Sequence, residues 1–271
     1  VAVRITGDEP FLTTHTSGTE RLMAGLFLPE IARNALERLS GKPVRSLQHL
    51  LWGRPVPVNG KPRDLTVIGM SDSEGLLYQV EADGEEGRPW HLGTVGAEAD
   101  SLGERKSLDN AASLPGADIT PMFRDFTELC AIHSGPPSAE MATVSEVRRD
   151  GNTLLARLVL PRGSAEDRQG LLFDPFVLDA VWRLLTFRAG GWVADAGAGN
   201  ALAFPLSVEQ MTGFSSAEDK AIVRIDGGSD SVGLSVELYG ADGRECLRLE
   251  GVRLTRLEQS RDIRIGEEAQ P

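Results

Sequence analysis

The chain has 271 residues, which at roughly 150 residues per domain means one large domain or two small ones. Lys and Arg total 28 against 40 Asp and Glu, a formal net charge of −12, with 41% apolar and 25% charged residues, an ordinary balance for a globule that buries a core. An acidic chain is repelled by a phosphate backbone, so nucleic acid is not an expected partner. No apolar run reaches the ~18 residues of a membrane span, and no basic segment followed by an apolar one directs secretion. The chain starts at Val1 and not at Met, as expected of a piece cut from a longer protein or processed at its start. Cys130 and Cys246 form neither a disulfide framework nor a metal-ligand pair, and a reducing, cytoplasmic compartment is expected.

Thirty glycines and 15 prolines punctuate short apolar runs in the manner of a strand-rich protein. The first exception is 28–40, where Leu28, Ile31, Ala32, Ala35, Leu36 and Leu39 recur at helical spacing. Pro29 suits a first turn, Glu30 sits at the positive end of the helix dipole, and Gly41 is a stop. Strands are predicted over 64–70, 76–82 and 90–95, separated by turn-like segments at 71–75 and 83–87. Residues 97–118 show no periodicity and read as a linker, followed by a short helix over 119–131. Strands at 141–148 and 153–161 are joined by Asp150-Gly151, a strong hairpin signal. A second helix, 175–187, is too apolar all round to face water. Strands follow at 207–214, 220–226, 232–239 and 246–257, the last pair turned by Ala241-Asp242-Gly243. The alternation of the last strand slips phase near Gly251, which predicts a bulge.

The same plan is thus stated twice: a buried helix and a run of antiparallel strands. A long helix wrapped by a curled antiparallel sheet is a hotdog, so the expectation is an α+β double hotdog, two antiparallel sheets each wrapping a central helix. The first hotdog would cover 1–96 and the linker 97–118. The second would cover 119–258, ahead of a polar tail at 259–271.

The four histidines, at 15, 49, 91 and 133, form no HExxH or paired metal spacing, and no GxSxG elbow is present. Gly197-Ala198-Gly199 is half of a dinucleotide loop without a surrounding βαβ unit, and reads as a plain loop. His15 lies in a polar stretch, Thr13-Thr14-His15-Thr16, just upstream of a buried helix; a lone His in such a place is more often structural or solvated than functional. Asp179 is odder. It interrupts Phe176-Val177-Leu178-Asp179-Ala180-Val181-Trp182, where an unpaired charge costs several kcal/mol to bury. It must have a partner or stay protonated, and a protonated carboxyl is a ready general acid. The plainer reading is that Asp174 or Asp179 caps the helix or faces out, but Asp179 lies too far inside the helix to cap it well.

The stretch from His15 to Ala32 resembles the start of a polyketide synthase dehydratase domain: a His, a Gly-rich turn, a Leu-Pro-Gly-like step and a helix carrying a Glu. Here these places hold His15, Gly18, Met23-Ala24-Gly25 and Glu30-Ile31-Ala32. The family's second signature, His-Pro-x-x-Leu-Asp-Ala, stands here as Asp174-Pro175-Phe176-Val177-Leu178-Asp179-Ala180. Residues 47–58 with Arg54-Pro55, Ala203-Phe204-Pro205, and Ala241-Asp242-Gly243 followed by Glu250-Gly251-Val252-Arg253-Leu254 resemble further family segments, so the likeness runs from about residue 10 to 258. Four departures stand out. Thr19 and Ala24 replace a Gly and a Pro, Ser134-Gly135-Pro136 replaces Tyr-Gly-Pro, and Arg183 occupies the place of a Gln or His one turn after the catalytic Asp.

The resemblance implies that His15 takes the α-proton of a β-hydroxyacyl thioester and that protonated Asp179 releases the β-hydroxyl as water. It implies substrate contacts at Gly18, Gly25, Ser134, Gly135, Pro136 and Arg183. Backbone N–H groups near Gly18 and the N-terminus of the 28–40 helix would stabilise the thioester oxygen. No metal or organic cofactor is implied. The substrate would arrive on the phosphopantetheine of an acyl carrier protein, docked through a basic patch such as Arg33, Arg38 or Arg45, beside neighbouring domains such as a ketosynthase; a homodimer stays open. Arg183, if it reached Asp179, would favour the carboxylate and weaken the acid; on so apolar a helix an outward, solvent-seeking arrangement is expected instead. Related readings share the two groups: double-bond migration, oxa-Michael closure to a pyran, assistance to β-branching by a ketosynthase, or a product-template cyclase. A non-catalytic scaffold is the reading that uses neither.

Overall fold

The computed structural model describes the chain apart from residues 7–15, 18, 19, 24, 54, 55, 58–61, 72, 74, 83–86, 88, 97–103, 109–112, 135–141, 161–167, 169, 190–202, 228–232 and 257–271. The first half runs β1 (Ala2–Ile5), β2 (Thr16–Ser17), β3 (Glu20–Met23), a 3-10 turn (Gly25–Phe27), α1 (Leu28–Ser40), β4 (Ser46–Trp52), β5 (Val56–Pro57), β6 (Arg63–Ser71), β7 (Leu76–Ala82) and β8 (His91–Val95). The second runs β9 (Ala117–Asp118), α2 (Thr120–Ser134), β10 (Thr143–Asp150), β11 (Thr153–Val159), α3 (Pro175–Ala189), β12 (Ala203–Gly213), β13 (Lys220–Asp226), β14 (Leu234–Gly240) and β15 (Glu245–Arg256).

Helix α1 has the limits its sequence predicts. Pro29 occupies the first turn, where its missing N–H costs nothing, and Gly41 ends the helix at φ 68°, donating its N–H to Glu37 O at 2.9 Å. Leu28, Ala32, Ala35 and Leu36 are buried, and the helix packs against β6 and β7. Helix α3 is buried on almost every side, through Phe176, Val177, Leu178, Ala180, Val181, Leu184, Leu185 and Phe187. Such a helix is stable only inside a wrapping sheet.

The wrapping is continuous. Twelve strands form one antiparallel sheet in the order β1-β6-β7-β8-β4-β12-β15-β14-β13-β11-β10-β9, with β2, β3 and β5 in a small separate sheet. The two predicted hotdog sheets are therefore joined edge to edge at β4 and β12, in the register Ser46↔Thr212, Leu47↔Met211 and Leu50↔Val208. All of these side chains are buried, so the seam is part of the core that both helices share.

The bulge predicted near Gly251 is present. Between Leu234↔Val252 and Val236↔Leu249, β15 spends one more residue than β14, and Gly251 has φ 64°. A Cβ there would push the exposed Glu209 side chain aside and would carry the strain of the positive φ, which favours glycine. The 97–118 linker is anchored where it is described: Lys106 N–H donates to Glu245 Oε2 at 2.9 Å, Leu108 N–H to Gly243 O at 2.8 Å, and β9 pairs with β10.

Candidate active site

Helix α3 opens with Asp174, whose Oδ1 accepts the Phe176 N–H at 2.9 Å and whose carbonyl accepts Leu178 N–H at 2.9 Å. Asp174 is thus the N-cap that the plainer sequence reading allowed. Burial raises its carboxyl above the usual range, against the pull of the Phe176 N–H and of Arg168, whose Nη1 lies 3.5 Å from Oδ2.

Asp179 follows within the helix, 6% exposed. Arg183 does not snorkel outward as expected. Its Nε stands 3.0 Å from Asp179 Oδ2, off the line of a hydrogen bond, while Nη2 donates to Ala142 O at 2.9 Å. The physical reason is local: one helical turn separates the two side chains, and a buried carboxylate draws the cation inward more strongly than water draws it out. Ala142 is itself tied back, donating its N–H to Phe176 O at 3.3 Å. Arg183 thereby links the carboxylate to the chain just before β10.

Beside this pair lies an aromatic group that the sequence reading passed over. Trp182 packs on Trp52 of β4, ring centroids 5.9 Å apart, and Trp52 packs on His91 at 5.0 Å. Trp52 Nε1 donates to Gly25 O at 2.9 Å. Gly25, expected to contact substrate, therefore has its carbonyl occupied, and its bare Cα makes room for Trp52: a Cβ would sit 2.6 Å from Trp52 Cδ1. His91 is fully buried, with Nδ1 2.9 Å from Leu51 O and Nε2 3.0 Å from the Tyr78 hydroxyl. Nδ1 must donate to the carbonyl, so Nε2 accepts from Tyr78. Burial pushes the His91 pKa down to about 3, against the raising effect of Leu51 O.

Glu30 also has a place that helical spacing could not show. It is buried beside Arg33, accepting from Arg33 Nε at 3.0 Å, from Asn34 Nδ2 at 2.9 Å and from Phe173 N–H at 2.9 Å. Phe173 leads into α3, so this carboxylate ties the start of one central helix to the start of the other. Arg33 is spent on Glu30, on Glu37 at 2.8 Å and on Gly170 O, which removes it from the expected docking patch. Arg38 is exposed, and Arg45 is half-buried with Nη1 on Phe214 O at 3.1 Å.

His15, Gly18, Gly135 and Pro136 lie outside the described residues, as does the side chain of Ser134 at the end of α2. The expected cavity between His15 and Asp179 falls there too. The residue after His15 is described: Thr16 pairs with Arg21 in the small sheet, which leads through β3 and the 3-10 turn to α1. A cavity of about 180 Å³ elsewhere is lined by Arg105, Ser215, Ser216, Asp242 and the free thiol of Cys246, and does not include Asp179. Among the described residues no three His, Cys, Asp or Glu side chains converge as a metal site, and no helix is long and apolar enough to cross a membrane.

Residues 142–263 match the family described as polyketide synthase dehydratase N-terminal domain. The chain is 23% identical over 273 residues to polyketide synthase PksM of Bacillus subtilis, a match covering 93% of this chain and about 6% of that synthase's length. Among solved structures, a trans-AT polyketide synthase dehydratase domain from Brevibacillus brevis superposes with TM-score 0.75 at 20% identity, over 95% of this chain and 93% of that one. The CurK dehydratase, solved as an Asp→Asn and as a His→Phe variant, each described as an inactive mutant, gives TM-scores of 0.73 and 0.75 at 13% and 12% identity. Those two matches cover 94% and 95% of this chain and 90% and 92% of theirs. Residues 142–263 thus match the polyketide synthase dehydratase family, and the described residues take the double-hotdog fold of its solved dehydratase domains.

Proposed function

We propose that this domain acts on β-oxygenated acyl thioesters presented on the phosphopantetheine arm of an acyl carrier protein, with His15 working at the α-carbon and Asp179 at the β-oxygen. The observation that carries this reading is the Asp179 carboxyl, buried beyond the first turn of the apolar helix α3 with the Arg183 guanidinium 3.0 Å away. The inactive Asp→Asn and His→Phe variants of the CurK dehydratase support giving both residue types a role in chemistry. In dehydration, His15 removes the α-proton, the electron pair closes the Cα–Cβ double bond, and the β C–O bond breaks. Asp179 passes its proton to the departing oxygen. The step is acid–base chemistry throughout and uses no metal or organic cofactor. Neighbouring synthase domains such as a ketosynthase are the proposed partners, and a homodimer is compatible with this role.

The Arg183 contact favours a second reaction at the same groups. A guanidinium 3.0 Å from Asp179 favours the carboxylate, which accepts protons and does not supply them. A carboxylate suits oxa-Michael closure. A chain hydroxyl gives its proton to Asp179, its oxygen bonds to Cβ of an unsaturated thioester, and Cα takes a proton from the His15 imidazolium. The deciding experiment is to incubate the domain with β-hydroxyacyl and with hydroxyl-bearing unsaturated acyl carriers and follow the mass. Loss of one water identifies dehydration, and a new product of unchanged mass identifies rearrangement or closure. No change with either substrate, equal for wild type, His15→Ala and Asp179→Asn, rejects an acid–base role.

A further inference from the structure

Two indoles meet at this site and their N–H groups have different fates. Trp52 gives its N–H to Gly25 O, while the Nε1 of Trp182 is buried and has no hydrogen-bond partner among the described residues. A buried N–H left unpaired is destabilising, so a fold keeps one where something else supplies the acceptor. Trp182 lies three residues after Asp179 on α3, so both side chains leave the same face of the helix. Its ring is steadied by Trp52, whose own position is fixed by Gly25. Indole donates and cannot accept, so the missing partner is an acceptor oxygen.

Resting on the reading that this site handles β-oxygenated acyl chains, we propose that Trp182 is a substrate-binding residue whose indole N–H donates a hydrogen bond to the β-oxygen beside Asp179. The pair would select for an oxygen at the β-carbon. As the C–O bond breaks, Asp179 gives this oxygen its proton and it leaves as water, with the indole N–H holding it in place and easing the charge that grows on it beforehand.

The test uses two pantetheine amides, which cannot turn over: a 3-hydroxyacyl chain and the same chain without the hydroxyl. Binding to wild type and to Trp182→Phe is measured by calorimetry, with indole ¹H–¹⁵N spectra of the wild type alongside. Phenylalanine keeps an aromatic ring on Trp52 and removes the donor together with the rest of the five-membered ring. We expect the Trp182 indole proton to move downfield with the hydroxylated amide alone. Trp182→Phe should weaken that amide about 5- to 10-fold, leave the other unchanged, and not lower Tm. Equal weakening of both amides, no weakening of either, or a lower Tm with unaltered selectivity assigns Trp182 to packing and overturns the proposal. If the wild type binds neither amide, the acyl-thioester reading fails with it; if it binds both without moving the Trp182 indole, only the role of Trp182 fails.

Discussion

Arg183 Nε stands 3.0 Å from Oδ2 of Asp179, one turn back on the same buried helix. The guanidinium is anchored at its other end by Ala142 O, so it cannot swing away without giving up a second contact. A carboxyl meant to deliver a proton is thus held beside a permanent cation, which favours the charged form and opposes donation.

The first prediction follows from that contact. In Arg183→Gln the cation is gone while a neutral, hydrogen-bonding side chain remains at the position. With the neighbouring cation removed, proton donation by Asp179 should become easier, so dehydration of a β-hydroxyacyl carrier should rise about 10-fold or more. A closure reaction that uses the carboxylate should fall in the same variant. Rates of both reactions across pH, measured on one preparation, check the two signs together.

Glu30 and Arg33 supply the second. Each is at least nine-tenths buried, and Glu30 also holds Phe173 N–H across the two hotdogs. Glu30→Ala leaves the Arg33 guanidinium to Glu37 and Gly170 O alone and strands the Phe173 N–H, and should cost about 1–3 kcal/mol in urea unfolding. Glu30→Gln keeps the acceptor for Phe173 and should cost distinctly less. Equal losses in the two variants would show that charge alone mattered.

These relationships mark where the sequence was legible. Helix α1, helix α3, the β10–β11 hairpin and the Gly251 bulge were all readable, because each is written in a local period or a turn residue. Strand β4 was not readable from periodicity and showed only through family likeness. His49 adopts φ 52° and bulges β4 against β8, so Leu47 and Leu50 both point inward and the alternation that would announce a strand is broken. Glu30 and Arg33 look like an exposed helical pair, since their burial is imposed by residues 170–173, far away in the chain. The orphaned N–H of Trp182 has no sequence signal at all; it depends on what surrounds the atom in space. The direction of Arg183 was misjudged because helix hydrophobicity was weighed and the pull of a buried carboxylate was not.

Gly25 gives a prediction about that aromatic wall. Gly25→Ala sets a Cβ 2.6 Å from Trp52, and the indole must shift from its hydrogen bond to Gly25 O. Overpacking of this kind costs about 1–3 kcal/mol. Trp52 supports Trp182, so the variant should change the indole ¹H–¹⁵N signals of both residues. Gly41→Ala, with open space around its Cβ, should leave those signals in place and show only the strain of its positive φ.

The last prediction concerns pH and His91. Its ring is neutral in the fold, donating to Leu51 O and accepting from Tyr78, and burial lowers its pKa to about 3. An unfolded chain has this group near 6.5. Between these values the unfolded state binds a proton that the folded state refuses, so acid favours unfolding. The contribution of His91 is therefore complete above about pH 6.5 and is lost progressively as pH falls toward 3, at up to about 1.4 kcal/mol per pH unit. In His91→Asn the Leu51 carbonyl keeps a donor and the titration disappears. Wild type should lose stability to urea steadily between pH 6.5 and 4, while His91→Asn, less stable at pH 7, should lose it with a shallower slope over that range. Parallel slopes would mean that other groups carry the acid sensitivity and that His91 is not buried neutral as the Tyr78–His91–Leu51 contacts require.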